Sequence, residues 1–271
     1  MTRLDDAFAA LRASGRTGLV TYTTAGDPDL PRSGEVLRAL DRAGADVLEV
    51  GVPFSEPLAD GPVIQRAAER ALASGTTLGR VIELVGGLRA DLQAPVVLFS
   101  YANPLVRMGF DAFAREAAAA GVDGVLVLDL PLEEAGECRD RLAAEGLATI
   151  FLLSPTTTAA RIRRAAALGQ GFLYGISRLG VTGARDTVAD GARALAERVR
   201  RETTMPLAIG FGISRPEHVA EVGRWADAAV VGSALVRVVA EHGAAETLVP
   251  AVEEYVRWLV GAVPAAAAEG R

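Results

Sequence analysis

The chain contains no lysine: all 28 of its basic residues are arginine. That absence removes Schiff-base catalysis and covalent attachment of pyridoxal phosphate to this chain, since both need a lysine amine. The one cysteine, Cys138, cannot close an internal disulfide, and nothing points to an oxidising compartment. Histidine is almost as scarce. Only His218 and His242 occur, each in a polar helix-like stretch, so no site built on His or Cys metal ligands is expected. Long apolar runs are missing too, and none approaches the ~18 residues needed to cross a bilayer. Met1 to Ala13 reads as an amphipathic helix, with Leu4, Phe8 and Leu11 at helical spacing, and not as a signal peptide. The formal charge is −6, with acidic and basic residues mixed and no basic block, which excludes nucleic acid as an expected partner. The expectation is a cytoplasmic chain whose chemistry rests on carboxylates, hydroxyls or backbone dipoles.

Apolar residues make up half of the 271 positions. That is enough for one well-buried domain over 1–271, with Pro264–Arg271 expected to fray. Eight short apolar runs recur at intervals: Gly18–Thr23, Val47–Gly51, Pro95–Tyr101, Gly124–Leu130, Ala148–Leu153, Gly171–Ile176, Pro206–Phe211 and Ala228–Gly232. Between them, helical spacing is clear at Ser33–Ala43, Phe110–Ala120, Ala159–Leu168, Ala189–Arg201 and Pro216–Trp225. Two helices, Gly61–Ala73 and Leu78–Leu92, fill the interval after the second run. The runs are continuous, as in Val125-Leu126-Val127-Leu128, and do not alternate. Burial on both faces explains this, as in parallel strands roofed by helices. Eight such units predict an α/β fold: a (β/α)8 TIM barrel with an extra N-terminal helix and additional helices after strands 2 and 8. A doubly wound sheet stays open as an alternative, although it usually has fewer strands and a glycine-rich loop after the first.

In such a barrel, functional groups gather at the C-terminal ends of the strands. Glu49 lies inside the apolar run of the second strand, on the same face as Val47 and Gly51 by strand alternation. A buried ionised carboxylate is costly unless it has a partner. Two readings stand: Glu49 is structural, paired with a buried arginine or capping a neighbouring amide, or it is an acid/base group whose pKa burial has raised. The loop that follows, from Pro53 to Pro62, carries Asp60 before Gly61-Pro62. Asp60 could serve as the cap of the next helix. It could equally be the second of two carboxylates that divide proton donation and acceptance.

The seventh and eighth strands end in glycine motifs, Gly210-Phe211-Gly212-Ile213-Ser214 and Gly232-Ser233-Ala234, with a helix soon after the second. Loops at these two positions, closed by a helix N-terminus, form the usual phosphate site of this fold. The polar loop Ser177–Arg185 after the sixth strand is a candidate lid, and Gly183 within it could add an amide to the cradle. Aromatics are only 5% of the chain, yet Tyr22, Phe99, Tyr101, Tyr174 and Phe211 fall at or near strand C-ends. They suit a flat apolar ligand portion as well as core filling. The residues alone suggest a phosphorylated substrate with an apolar moiety, handled by two carboxylates.

These motifs carry a family resemblance. The stretch Leu48 to Gln65, LEVGVPFSEPLADGPVIQ, resembles the signature of tryptophan synthase α subunits. So do Thr24-Ala25-Gly26-Asp27-Pro28, Tyr101-Ala102-Asn103-Pro104, Gly180-Val181-Thr182-Gly183 and the two glycine motifs above, extended to Val231. The resemblance implies retro-aldol cleavage of indole-3-glycerol phosphate to indole and D-glyceraldehyde 3-phosphate. Glu49 matches the acid/base carboxylate, and Asp60 the one that stabilises charge at the indole nitrogen. Thr182 matches the lid residue that reaches toward Asp60. Gly183, Gly212, Gly232 and Ser233 match the phosphate cradle, while Tyr22, Tyr101, Tyr174 and Phe211 lie where the family packs its indole ring. It further implies no cofactor in this chain, an α2β2 complex, and passage of indole to a β subunit that carries pyridoxal phosphate. Four positions depart from the family's frequent choices: Glu56 in the loop that faces the β subunit, Ser100, and Tyr22 and Leu128 around the pocket. Two other functions fit the same motifs, a free-standing indole-glycerol-phosphate lyase and a non-catalytic activating partner of a β-type enzyme.

Overall fold

The computed structural model describes residues 2–176, 190–210 and 212–261. Nine strand segments form one parallel sheet in the order β5-β4-β3-β2-β1-β9-β8-β7-β6. They are β1 (Gly18–Thr24), β2 (Val47–Gly51), β3 (Val96–Ser100), β4 (Gly124–Val127), β5 (Ala148–Ile150), β6 (Leu152–Leu153), β7 (Leu173–Ile176), β8 (Leu207–Gly210) and β9 (Ala228–Val231). β5 and β6 are two halves of one stave, interrupted at Phe151. β5 pairs with β4 and β6 with β7, and the Tyr174 amide donates to the Phe151 carbonyl at 3.0 Å. The sheet therefore closes on itself through that stave, giving the eight-stave barrel the sequence pattern predicts.

Two-sided burial accounts for the unbroken apolar runs. Outward side chains such as Leu19, Leu48, Val50, Leu98 and Val125 pack beneath the helices. Inward ones, among them Val20, Val47, Val97, Leu126, Ile150 and Val230, fill the lumen. Helix α1 (Arg3–Ser14) plugs the N-terminal end, seating Leu4, Phe8 and Leu11 in that lumenal cluster. Thr2 and Asp5 start it with reciprocal side-chain-to-amide bonds at both ends of its first turn.

Three aspartates secure the same end. Asp46, Asp123 and Asp227 each precede a strand and accept an amide from the neighbouring one: Leu19 at 2.8 Å, Val96 at 2.8 Å and Leu207 at 2.7 Å. Arg16, Arg3 and Arg200 neutralise them in turn. With charges paired and strand starts satisfied, this face is built for stability.

Helices α2 (Leu30–Arg42), α3 (Pro62–Ala73), α4 (Leu78–Leu88), α5 (Ala102–Met108), α6 (Phe110–Ala119), α7 (Gly136–Ala144), α8 (Ala159–Leu168), α9 (Asp190–Glu202), α10 (Pro216–Val222), α11 (Ser233–His242) and α12 (Leu248–Gly261) complete the described chain. The expected extra helices are α1, the α3–α4 pair after β2, and the α11–α12 pair after β9. Some expectations need correcting. α2 begins at Leu30, not Ser33, because Asp29 caps it and Pro31 sits in its first turn. α4 stops at Leu88 and α10 at Val222, short of Leu92 and Trp225. α5 and α7 are absent from the periodic pattern, since α5 buries only Leu105 and α7 only Cys138 and Leu142. No helix among the described residues is long and apolar enough to cross a membrane.

Candidate active site

Side chains on the inward face of β1 and β2 build the floor of the barrel mouth. In the register of these strands Glu49 stands beside Tyr22 on one side and Val97 of β3 on the other. Glu49 is 1% exposed, and neither carboxyl oxygen has a hydrogen-bond partner. Among the described residues this overturns the structural reading in both its forms, since Glu49 neither pairs with a buried arginine nor accepts a neighbouring amide. Burial alone pushes its pKa up to about 8, because an unpaired buried charge has lost its hydration without compensation.

Two glycines make room for the tyrosines beside it. A Cβ on Gly51 would lie 2.3 Å from the Tyr22 hydroxyl oxygen, and one on Gly210 would lie 2.6 Å from that of Tyr174. Only glycine at these strand ends lets both rings turn across the lumen. Burial holds both tyrosine pKa values well above the ordinary range. At Tyr22 the charge of Asp60, then of Glu49, adds to this; at Tyr174 the order is Glu49, then Asp60. Both phenols therefore stay protonated, and both sense both carboxylates.

Asp60 comes from the loop between β2 and α3. It is not the helix cap: Gly61 holds that position without a side-chain bond. Instead its Oδ2 accepts the Tyr101 hydroxyl at 3.0 Å, and that same hydroxyl accepts the Ala59 amide at 3.1 Å. Burial pushes the Asp60 pKa up to about 6, against the opposing pull of the Tyr101 hydrogen bond. The loop is braced from within, since the Asp60 amide donates to the Pro57 carbonyl at 3.0 Å. The Gln65 side-chain amide donates to the Asp60 carbonyl at 2.9 Å. In sequence Tyr101 shows only as an aromatic at a strand end, and neither its hydroxyl bond nor the brace from Gln65 has a local signal. Asp129 accepts the Ala102 amide at 2.7 Å and fixes the start of α5, next to Tyr101. Phe54 leans on Tyr101 (5.1 Å, 31°), and Phe99 meets Tyr22 edge-on (5.3 Å, 76°), so aromatic surface flanks both carboxylates.

On the glycine side, Gly212 turns the chain in the left-handed region at φ 82°. Among the described residues its amide and that of Ile213 make no hydrogen bond. Helix α11 begins at Ser233 after Gly232, and the first amide to find an intrahelical acceptor is Val236, on the Gly232 carbonyl at 3.0 Å. The amides of Ser233, Ala234 and Leu235 are thus left at the open end, where an anion is favoured. Glu56 is exposed on the Asp60 loop. Thr182, Gly183 and Phe211, together with the expected lid and the frayed tail, lie outside the described residues.

A closed parallel barrel carrying two buried carboxylates of unequal acidity at its mouth, with open amides nearby, has the make-up of a (β/α)8-barrel enzyme. The family model described as tryptophan synthase alpha chain matches residues 8–262. A tryptophan synthase alpha chain from Citrifermentans bemidjiense is 52% identical over 248 residues, covering 92% of this chain and 93% of the relative. One from Roseiflexus sp. is 49% identical over 262 residues, covering 96% and 100%. Among solved structures, Mycobacterium tuberculosis tryptophan synthase superposes with a TM-score of 0.89 at 35% identity, over 97% of this chain and 98% of that one. The alpha subunit from Legionella pneumophila gives 0.88 at 35%, again over 97% and 98%. The chain belongs to the tryptophan synthase alpha chain family.

Proposed function

We propose that this chain catalyses the α reaction of tryptophan synthase: retro-aldol cleavage of indole-3-glycerol phosphate to indole and D-glyceraldehyde 3-phosphate. The observation that carries the reading is the division between two buried carboxyls, one protonated below about 8 and the other ionised above about 6. Near neutral pH this leaves a proton to give at Glu49 and a fixed negative charge at Asp60.

The chemistry asks for that pairing. Glu49 gives its proton to ring carbon C3 of the indole, and the resulting positive charge on N1–H is stabilised by ionised Asp60. Glu49, now a carboxylate, takes the proton from the hydroxyl next to the scissile bond. The C–C bond breaks as the aldehyde forms, its electron pair restores the aromatic ring, and Glu49 ends as it began. No net proton is exchanged. Tyr22 and Tyr174 flank the ring as neutral phenols, and Gly212, Gly232 and Ser233 offer amides to the phosphate, with Gly183 and Thr182 assigned to the lid by resemblance.

The reading extends to a cytoplasmic α2β2 complex with a β subunit that carries pyridoxal phosphate. Support comes from Leu58 (84% exposed) and Val106 (59% exposed), apolar side chains on the two elements that Tyr101 joins. Such surface beside a mouth that releases indole suits a partner's cover. Indole formation from indole-3-glycerol phosphate, measured with and without β subunit, tests both parts. No indole in either condition would refute the activity. Full turnover by the isolated chain, unmoved by β subunit, would point instead to a free-standing lyase.

A further inference from the structure

Ser214, two residues beyond Gly212, is held at both ends of its peptide. Its carbonyl accepts the Tyr255 hydroxyl at 2.9 Å, and its amide donates to Nδ1 of His218 at 3.3 Å. The two partners come from different helices: His218 is in α10 and Tyr255 in α12. α12 is a firm base for the first contact. It buries Leu248, Val252, Val256 and Leu259, and Glu253 accepts Nε of Arg42 in α2 at 3.0 Å. The ring of Tyr255 lies 5.9 Å from that of Trp258 at 40°, and its hydroxyl is the atom that reaches the loop.

We infer that Tyr255 and His218 are positioning residues for phosphate recognition, acting through Ser214 to hold the Gly212 and Ile213 amides where the anion sits. The inference rests on reading Gly212 as part of the phosphate cradle, and adds the device that fixes it. A glycine in the left-handed region is free to leave it, because nothing in its own side chain opposes rotation. Amides select an anion only when their direction is set before it arrives. Ile213, 3% exposed, anchors the segment on its apolar side. The two Ser214 bonds supply the polar constraint, one from each of two packed helices. Burial pushes the Tyr255 hydroxyl up to about 12, so it remains a donor throughout the working range.

The variant to make is Tyr255→Phe, which deletes one hydroxyl and keeps the ring. Binding of glycerol 3-phosphate to the full chain should weaken about two- to tenfold, the usual weight of one hydrogen bond. KM for indole-3-glycerol phosphate should rise to match, with kcat and the pH profile unchanged and indole affinity as in wild type. His218→Leu should move the same quantities in the same direction. His218→Asn, which keeps an acceptor near Nδ1, should restore them. Wild-type affinity for glycerol 3-phosphate in Tyr255→Phe would overturn the inference. An equal loss of indole affinity would do so too, since that marks general loosening of the barrel. If wild type binds glycerol 3-phosphate without cleaving the substrate, the proposed activity fails while these comparisons still decide the positioning role. If wild type does not bind it, the cradle and its positioning residues fall together.

Discussion

Tyr101 and Asp60, 41 residues apart in sequence, meet through a hydroxyl-to-carboxylate bond of 3.0 Å. The bond favours the ionised form of Asp60 and partly offsets the burial that pushes its pKa up to about 6. Tyr101→Phe removes the donor and leaves the desolvation. The Asp60 pKa should then climb further, moving the acidic limb of the kcat/KM profile upward by roughly one pH unit, the equivalent of a charge-assisted bond. Losses should be large near pH 6 and small near pH 8. A limb that stays in place would show that Tyr101 only packs there.

The wild-type profile itself is a test. The proposed mechanism needs Asp60 ionised and Glu49 protonated, so kcat/KM should fall below about pH 6 and above about pH 8. Substrate binding that excludes water will shift both limbs in kcat, while kcat/KM reports the free chain. Glu49→Gln cannot give and retake a proton, and should lose about 10²–10⁴ in kcat with substrate still bound. Asp60→Asn should lose the acidic limb together with most of the rate. Near-wild-type turnover in either variant would remove that residue from the mechanism.

Glu49 also predicts a stability effect with a definite sign. Its folded pKa, about 8, lies above the unfolded value near 4.5. Between those pH values the folded chain binds the extra proton, so this residue lowers stability progressively as pH rises, by a ceiling of roughly 5 kcal/mol. Below about 4.5 the cost is absent; above about 8 it is complete. Glu49→Gln has no such titration. The mutant should therefore gain stability relative to wild type from pH 5 to pH 8 in denaturant melts. A constant difference across that range would mean that Glu49 finds a counter-charge, contrary to its orphaned oxygens.

How much of this was legible in the sequence depended on how local the signal was. The eight staves were readable because burial on both faces leaves a continuous apolar run, and Glu49 stood out as a carboxylate with apolar neighbours on both sides in the middle of such a run. α5 was not readable: seven residues with Pro104 in the first turn and one buried side chain carry no period. Its start is set by Asp129, from a loop after a different strand. Asp60 before Gly-Pro looked like a helix cap, and only the meeting of two loops reveals that Tyr101 claims it instead. Gly51 and Gly210 were readable as glycines of a motif, but not as the space occupied by Tyr22 and Tyr174. Contacts between distant segments have no local period to read.

The two ends of the barrel should separate stability from activity. Phe8 on α1 is 1% exposed and lies 5.2 Å from Phe172 in ring centroids, inside the lumen at the end away from the carboxylates. Phe8→Ala leaves a cavity that the surrounding strands, tied by Asp46, Asp123 and Asp227, cannot easily close. The expected cost is about 3–5 kcal/mol, which in a chain of this size lowers Tm by roughly 6–20 °C. The folded fraction should nevertheless keep both limbs of the pH profile, because Glu49, Asp60 and Tyr101 are fastened by β2, the loop before α3 and α5, and not by α1. Thermal melts and pH–rate profiles of one preparation would check both halves. A shifted limb at unchanged fold would mean that the N-terminal plug sets the electrostatics of the mouth.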